Sequence, residues 1–174
     1  MALFMSKDYE KAMVSFSNTV KYNPKHQLAF LRRGSCQMHL KKYTDAIVDF
    51  NKVLSINPRH ALALYYRGKA KQMDEIKDYE GALEDLNKSI RYYPYSAYAL
   101  CYRGIVKMKM GDYDSAWEDF DHSIEVAPDY GKSYYARAEC NYLLKFYNDA
   151  CTDLKKAQSL EIEISDDLAS KYCN

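Results

Sequence analysis

Apolar residues along this chain fall three or four positions apart, in short stripes that come in pairs. In residues 97–130 one stripe runs through Leu100, Gly104 and Met108, and the other through Ala116, Phe120, Ser123 and Ile124. That spacing is the period of a helix, since strands would alternate every two residues. Gly111-Asp112 breaks the first stripe from the second. Ala127-Pro128 ends the second, because a proline disfavours the helical region for the residue before it. The unit is predicted to be a helix hairpin.

The hairpin recurs. Pro24, Pro58, Pro94 and Pro128 are separated by 34, 36 and 34 residues, and so are Arg33, Arg67, Arg103 and Arg137. Ala12, Ala46, Ala82, Ala116 and Ala150 keep the same register, with a tyrosine three residues before each: Tyr9, Tyr43, Tyr79, Tyr113 and Tyr147. A period of this size marks a repeat architecture. The two extra residues fall within 73–78, which places them in a turn. The predicted layout is a partial repeat over 1–26, repeats over 27–60, 61–96, 97–130 and 131–164, and a further or capping helix over 165–174. The opening repeat has only Met1 to Ser6 for its first helix, and Ser165-Asp166-Asp167-Leu168 reads as a capped helix start. Stacked repeats need polar caps at their ends, so a segment of a longer array is the expectation.

The residues that hold this register resemble the tetratricopeptide repeat family. Its unit has a bulky residue, a glycine four positions on, then tyrosine, alanine, an aromatic residue or leucine, and a closing proline. The third full repeat supplies Leu100, Gly104, Tyr113, Ala116, Phe120 and Pro128. The second supplies Leu64, Gly68, Tyr79, Ala82, Leu86 and Pro94, and the first Phe30, Gly34, Tyr43, Ala46, Phe50 and Pro58. The fourth has Tyr134, Ala138, Tyr147, Ala150 and Leu154, with Ile162 in the proline position. The resemblance covers residues 8 to 162 and implies an all-α fold, a right-handed α-solenoid of antiparallel helix hairpins whose first helices line a concave groove.

Charge and composition narrow the function. Twenty-five Lys and Arg against 24 Asp and Glu leave a net charge of +1, which is not the basic signature of a nucleic-acid binder. No apolar run approaches the length of a membrane span, and the start lacks a secretory pattern. Five cysteines, odd in number and without a Cys-x-x-Cys pair, point to a reducing compartment: the cytoplasm, with the nucleus left open. His26, His39, His60 and His122 look scattered, with no nucleophile, metal or phosphate motif beside them. No catalytic residue, cofactor or metal is therefore assigned, and the chain is expected not to be an enzyme.

Two residue sets remain as candidates. Asp49, Asp85, Asp119 and Asp153 rise with the four arginines. The opening repeat has Ser15 in the aspartate position and no residue in the arginine position, so Asp is absent where Arg is absent. Pairing within each repeat follows: Arg33 with Asp49, Arg67 with Asp85, Arg103 with Asp119 and Arg137 with Asp153, in preference to an anion-binding row. Ala116→Leu is expected to overpack the hairpin, and Lys107→Leu, by contrast, to be mild.

The second set is the inner stripe of the first helices. It runs Leu28, Leu31, Ser35, Met38; Leu62, Tyr65, Lys69, Gln72; Tyr98, Cys101, Ile105, Met108; and Lys132, Tyr135, Glu139, Tyr142. Leu31, Tyr65, Lys69, Tyr98, Ile105, Met108, Lys132, Tyr135 and Tyr142 are taken as a tyrosine-rich groove for a peptide or helix of a protein partner, with self-association kept open. Chaperone-binding members of the family hold a terminal carboxylate with a set of Lys, Asn and Arg. Only Lys132 matches it, while Tyr65, Lys69, Tyr102 and Ala136 replace the others, which argues against a chaperone tail. The alternatives are a regulatory region of a larger multidomain protein and, less favoured on charge and register, a helical-repeat RNA reader.

Overall fold

The computed structural model describes residues 8–173. Among them it has ten helices and no strand: α1 Tyr9–Tyr22, α2 Gln27–His39, α3 Tyr43–Ile56, α4 Ala61–Lys71, α5 Tyr79–Tyr92, α6 Ala97–Lys109, α7 Tyr113–Val126, α8 Gly131–Leu143, α9 Tyr147–Ser159 and α10 Asp166–Cys173. The fold is all-α, a succession of helix hairpins. The helices group into two compact units, Met1–Tyr92 and Tyr93–Asn174. The partner helix expected in Met1 to Ser6 lies outside the described residues.

In the first unit α1 packs on α2, α2 on α3, α3 on α4 and α4 on α5. In the second, α6 packs on α7, α7 on α8, α8 on α9 and α9 on α10. The repeated small residues permit this. Ala46, Ala82, Ala116 and Ala150 are fully buried, and a Cβ built on Gly34 or Gly104 would lie 2.6 or 2.5 Å from Cε1 of Phe50 or Phe120. Packing that close leaves no room for an added methyl group without displacing a buried ring.

Short connections hold the hairpins antiparallel. The turns 40–42, 110–112 and 144–146 each place one residue in the left-handed region, at Lys41, Gly111 and Lys145, and only Gly111 does so without steric strain. In each turn a backbone N–H reaches back to close the first helix: Lys42 to Gln37, Asp112 to Lys107, Phe146 to Asn141. The segment 72–78 is longer, and α4 is correspondingly shorter than α2, α6 and α8. Helix starts are capped by Asp8, Ser96 and Asp112, while Asp78 accepts from Gly81 N and Ser165 from Leu168 N.

Two sequence readings change here. His26 and His60 are not scattered. They share a repeat position, and each accepts a hydrogen bond through Nδ1 from the backbone N–H three residues on, of Ala29 and Ala63. They are helix caps. The cysteine arithmetic also overlooks a pair: Cys151 is disulfide-bonded to Cys173, which ties α10 to α9, while Cys36, Cys101 and Cys140 are buried free thiols. Tyr172 of α10 is buried against Ala138, Ala150 and Leu154, and so covers the last hairpin.

Candidate functional site

The arginine and aspartate ladders come from facing helices of one hairpin. Arg33 on α2 donates Nε and Nη2 to the two carboxylate oxygens of Asp49 on α3, at 2.7 and 2.6 Å. Arg67 holds Asp85 and Arg137 holds Asp153 in the same two-pronged way, and Arg103 Nη2 lies 2.5 Å from Asp119. The four aspartates are buried and the arginines mostly so. Hydrogen bonding to Asp49 and Asp153 raises the Arg33 and Arg137 pKa values against the opposing effect of burial.

Arg33, Arg67 and Arg137 also reach backwards through Nη1, to Ser17 at 3.3 Å, Asn51 at 2.6 Å and Asp121 at 2.5 Å. Each therefore binds its own hairpin to the preceding helix. The signal was present in the sequence, because Ser17, Asn51 and Asp121 occupy one polar repeat position. Asp85, Asp119 and Asp153 also meet the residue four places after their arginine. Lys71 Nζ lies 3.1 Å from Asp85 and Lys107 Nζ 2.9 Å from Asp119, while Asn141 donates to Asp153 at 3.1 Å. Lys107 is thus part of a buried ionic cluster, and the expectation that leucine would be mild there is corrected.

The proposed groove residues divide into covered and open ones. Leu31 is only 5% exposed and packs with Phe50, Val53 and Leu64, and Tyr65 is buried. Tyr65 presents only a wall of a small cavity of about 210 Å³ that it shares with Ser35, Met38, His39, Tyr66 and Lys69. Tyr142 is stacked on Tyr172, with ring centroids 4.4 Å apart and planes 8° from parallel. Leu31 and Tyr65 are accordingly removed from the set that can meet a partner with a whole side chain, while half-buried Tyr142 has one ring face taken. Ile105 and Met108 are half-buried on the Phe120 cluster, and Tyr135 packs beside Tyr172. Lys132 donates to the Tyr102 hydroxyl at 2.9 Å and lies over its ring.

What stays open is the second position of each repeat. Leu28 is 54% exposed, Leu62 47% and Tyr98 56%, with half-buried Lys132 in the fourth repeat. Tyr98 leans edge-on against Tyr130, centroids 4.6 Å apart. On α8 the Glu139 carboxyl is pushed above the usual range by burial, a shift that the Lys132 ammonium opposes, and burial likewise raises the Tyr135 hydroxyl. No group of three or more metal-ligating side chains gathers among the described residues, and none of their helices is long and apolar enough to cross a membrane.

Residues 28–60 match the family model described as "Tetratricopeptide repeat". No curated protein matches the chain. Solved structures resemble it in fold. The type IV pilus biogenesis factor PilW superposes with a TM-score of 0.84 at 23% identity, over 99% of this chain and 86% of that one. TTC0263, a thermophilic tetratricopeptide-repeat protein of Thermus thermophilus, gives 0.79 at 23% identity over 98% and 92%. YrrB, described as such a protein with an unusual peptide-binding site, gives 0.70 at 18% identity over 98% and 86%.

Proposed function

Taking the chain as a succession of tetratricopeptide-repeat helix hairpins, we propose that it is a non-enzymatic scaffold that binds a peptide or helical segment of a protein partner on the first helices of its repeats. One observation carries this. The same repeat position exposes Leu28, Leu62 and Tyr98 to about half their area, on helices whose neighbouring positions are buried. Large apolar side chains left open at the same repeat position are unfavourable in water and favour occupation by a partner. The protein-interaction role that such folds serve supports the reading, and the peptide-binding site named for YrrB supports its finer part.

In the second unit Tyr98 supplies the anchor, with Ile105, Met108 and Tyr135 as partly buried floor and Lys132 as a charged edge. In the first unit Leu28, Leu62 and Lys69 play these parts. The net charge of +1 favours protein over nucleic acid as partner. A cytoplasmic location belongs to the same proposal; the buried thiols of Cys36, Cys101 and Cys140 are compatible with it, and the Cys151–Cys173 disulfide is the observation that stands against it.

The experiment is site-specific photocrosslinking in whole-cell extract, with the probe at Leu62, at Tyr98 or at outward-facing Glu84. A protein captured from the first two positions and not from Glu84 is the expected result. Tyr98→Ala should then weaken its binding by about 2 kcal/mol, the size of an anchor residue. Capture from Glu84 alone would move the site to the second helices.

A further inference from the structure

Trp117, Asn141 and Phe146 each depart from the repeat, and the three departures meet. The Trp117 position holds Ile47, Leu83 and Cys151 in the other full repeats, and the Asn141 position holds Gln37, Lys71 and Lys107. Asn141 is too short to fill the space a lysine would, and its Oδ1 accepts the Trp117 indole N–H at 2.9 Å. The Phe146 position holds Lys42, Asp78 and Asp112 elsewhere, and Asp78 and Asp112 use their carboxylates to cap the following helix. Phe146 caps nothing with its side chain and stands 55% exposed. A favourable local interaction has been given up for an aromatic ring at the surface.

These residues and Leu144 wall a cavity of about 540 Å³ between α7 and α9, over α8, in the size range of sites that hold a side chain or small ligand. Its rim carries the exposed carboxylates Asp114, Glu118 and Asp149. The cation that also borders it, Arg137, is already matched by Asp153 and Asp121. Among the described residues the three rim carboxylates form no ion pair of their own. Aromatic and aliphatic walls under an uncompensated negative rim complement a long side chain with an apolar stem and a cationic tip.

We infer that this cavity receives a lysine or arginine side chain presented by a protein partner. The methylenes lie against Trp117, Leu144 and Phe146, and the charged head sits among Asp114, Glu118 and Asp149. The site opens between two second helices and includes none of Leu28, Leu62 and Tyr98, so it gives the scaffold a second point of attachment.

Trp117 is the only tryptophan, so its indole N–H gives one nitrogen-15 cross-peak that reports from inside the cavity. The full chain is titrated at matched ionic strength with capped Gly-Arg-Gly and Gly-Lys-Gly, and with capped Gly-Glu-Gly and Gly-Leu-Gly as controls. The expected result is a saturable indole shift with the two basic peptides and binding about tenfold weaker or worse with the controls. Glu118→Gln with Asp149→Asn should raise Kd for the basic peptides by about tenfold or more while the melting temperature holds, and Glu84→Gln should leave Kd unchanged. An equal response to the leucine peptide would make this a plain apolar pocket and overturn the charge assignment. A stronger response to the glutamate peptide, no saturable shift, or an unaffected Kd in the double variant would each overturn the inference.

Discussion

The third and fourth hairpins build the same buried pair and finish it differently. Around Arg103 and Asp119, Lys107 adds a second cation to the aspartate and donates to the Ser115 carbonyl at 3.2 Å, so the space between the helices is filled and neutralised. Around Arg137 and Asp153 the lysine is replaced by Asn141, the extra partner of the arginine is an acid, Asp121, and a cavity remains beside them. The first arrangement is closed and structural. The second keeps the scaffold pair and surrenders a cation, a helix cap and packing volume, which are the marks of a surface shaped for something other than folding.

The arginines give the sharpest test of this difference. Arg137→Ala leaves Asp153 buried with only Asn141 beside it, and should lose ~3–5 kcal/mol, as expected when one partner of a buried pair is removed. Arg103→Ala should lose clearly less, because Lys107 still faces Asp119 at 2.9 Å. Combining Arg103→Ala with Asp119→Ala should lose less than the sum of the single changes. Urea midpoints read all of these, and equal losses for the two arginines would mean that Lys107 does not compensate.

Why some of this was readable in the sequence follows from what a repeat does and does not encode. Four residue types held in one register are enough to give the hairpins, because helix pairing at this tightness requires Ala116 and Gly104 where they stand. The Arg and Asp pairing was readable too, since Ser15 marks the one helix that lacks the aspartate. The stripe on the first helices was readable only as a stripe. Leu28 and Leu31 lie three residues apart on one face, and nothing in the spacing says that Leu31 is covered by Phe50 and Leu64 while Leu28 is left open. Nor does the spacing say that one ring face of Tyr142 is taken by Tyr172 of a helix outside the repeat. Lys107 was misread because a helical period reports a direction and not the reach of a four-carbon side chain. Trp117, Asn141 and Phe146 each carry a departure visible in the alignment of repeats, but only the folded chain brings the three to one cavity.

The next largest effect lies in the third hairpin. Lys107→Leu removes a charged hydrogen-bond donor from a buried aspartate and should lose ~1.5–3 kcal/mol by chemical denaturation. A loss indistinguishable from zero would make the closed arrangement as loose as the open one.

Making the fourth hairpin more like the third should work in the opposite direction. Phe146→Asp restores the carboxylate that caps α5 and α7 at the same position, and should gain ~0.5–2 kcal/mol for α9. The same change removes an apolar wall of the cavity. A variant that melts higher and binds the basic peptides less well is the expected outcome, and one that melts lower would show that Phe146 is there for packing.

The smallest effect is one of pH, and it too separates the hairpins, because Glu139 on α8 occupies the repeat position that holds Ile105 on α6. Burial raises the Glu139 pKa in the folded chain, with Lys132 opposing part of the rise. A carboxyl raised on folding keeps its proton in the native state over a window where the unfolded chain has released it. Stability contributed by this group therefore falls as pH rises through that window, and is unaffected below the ordinary glutamate value. Glu139→Gln removes the ionisation, so it should raise the melting temperature at pH 7 and show little advantage near pH 3, below the ordinary glutamate value, where the glutamate is neutral in both states. Ile105→Val, the small change at the matching position of α6, should shift the melting temperature by the same amount at both pH values. If the glutamine variant melts lower than the native chain at pH 7, then Lys132 holds Glu139 in a stabilising pair, and the fourth hairpin is closed by charge on this face as the third is around Asp119.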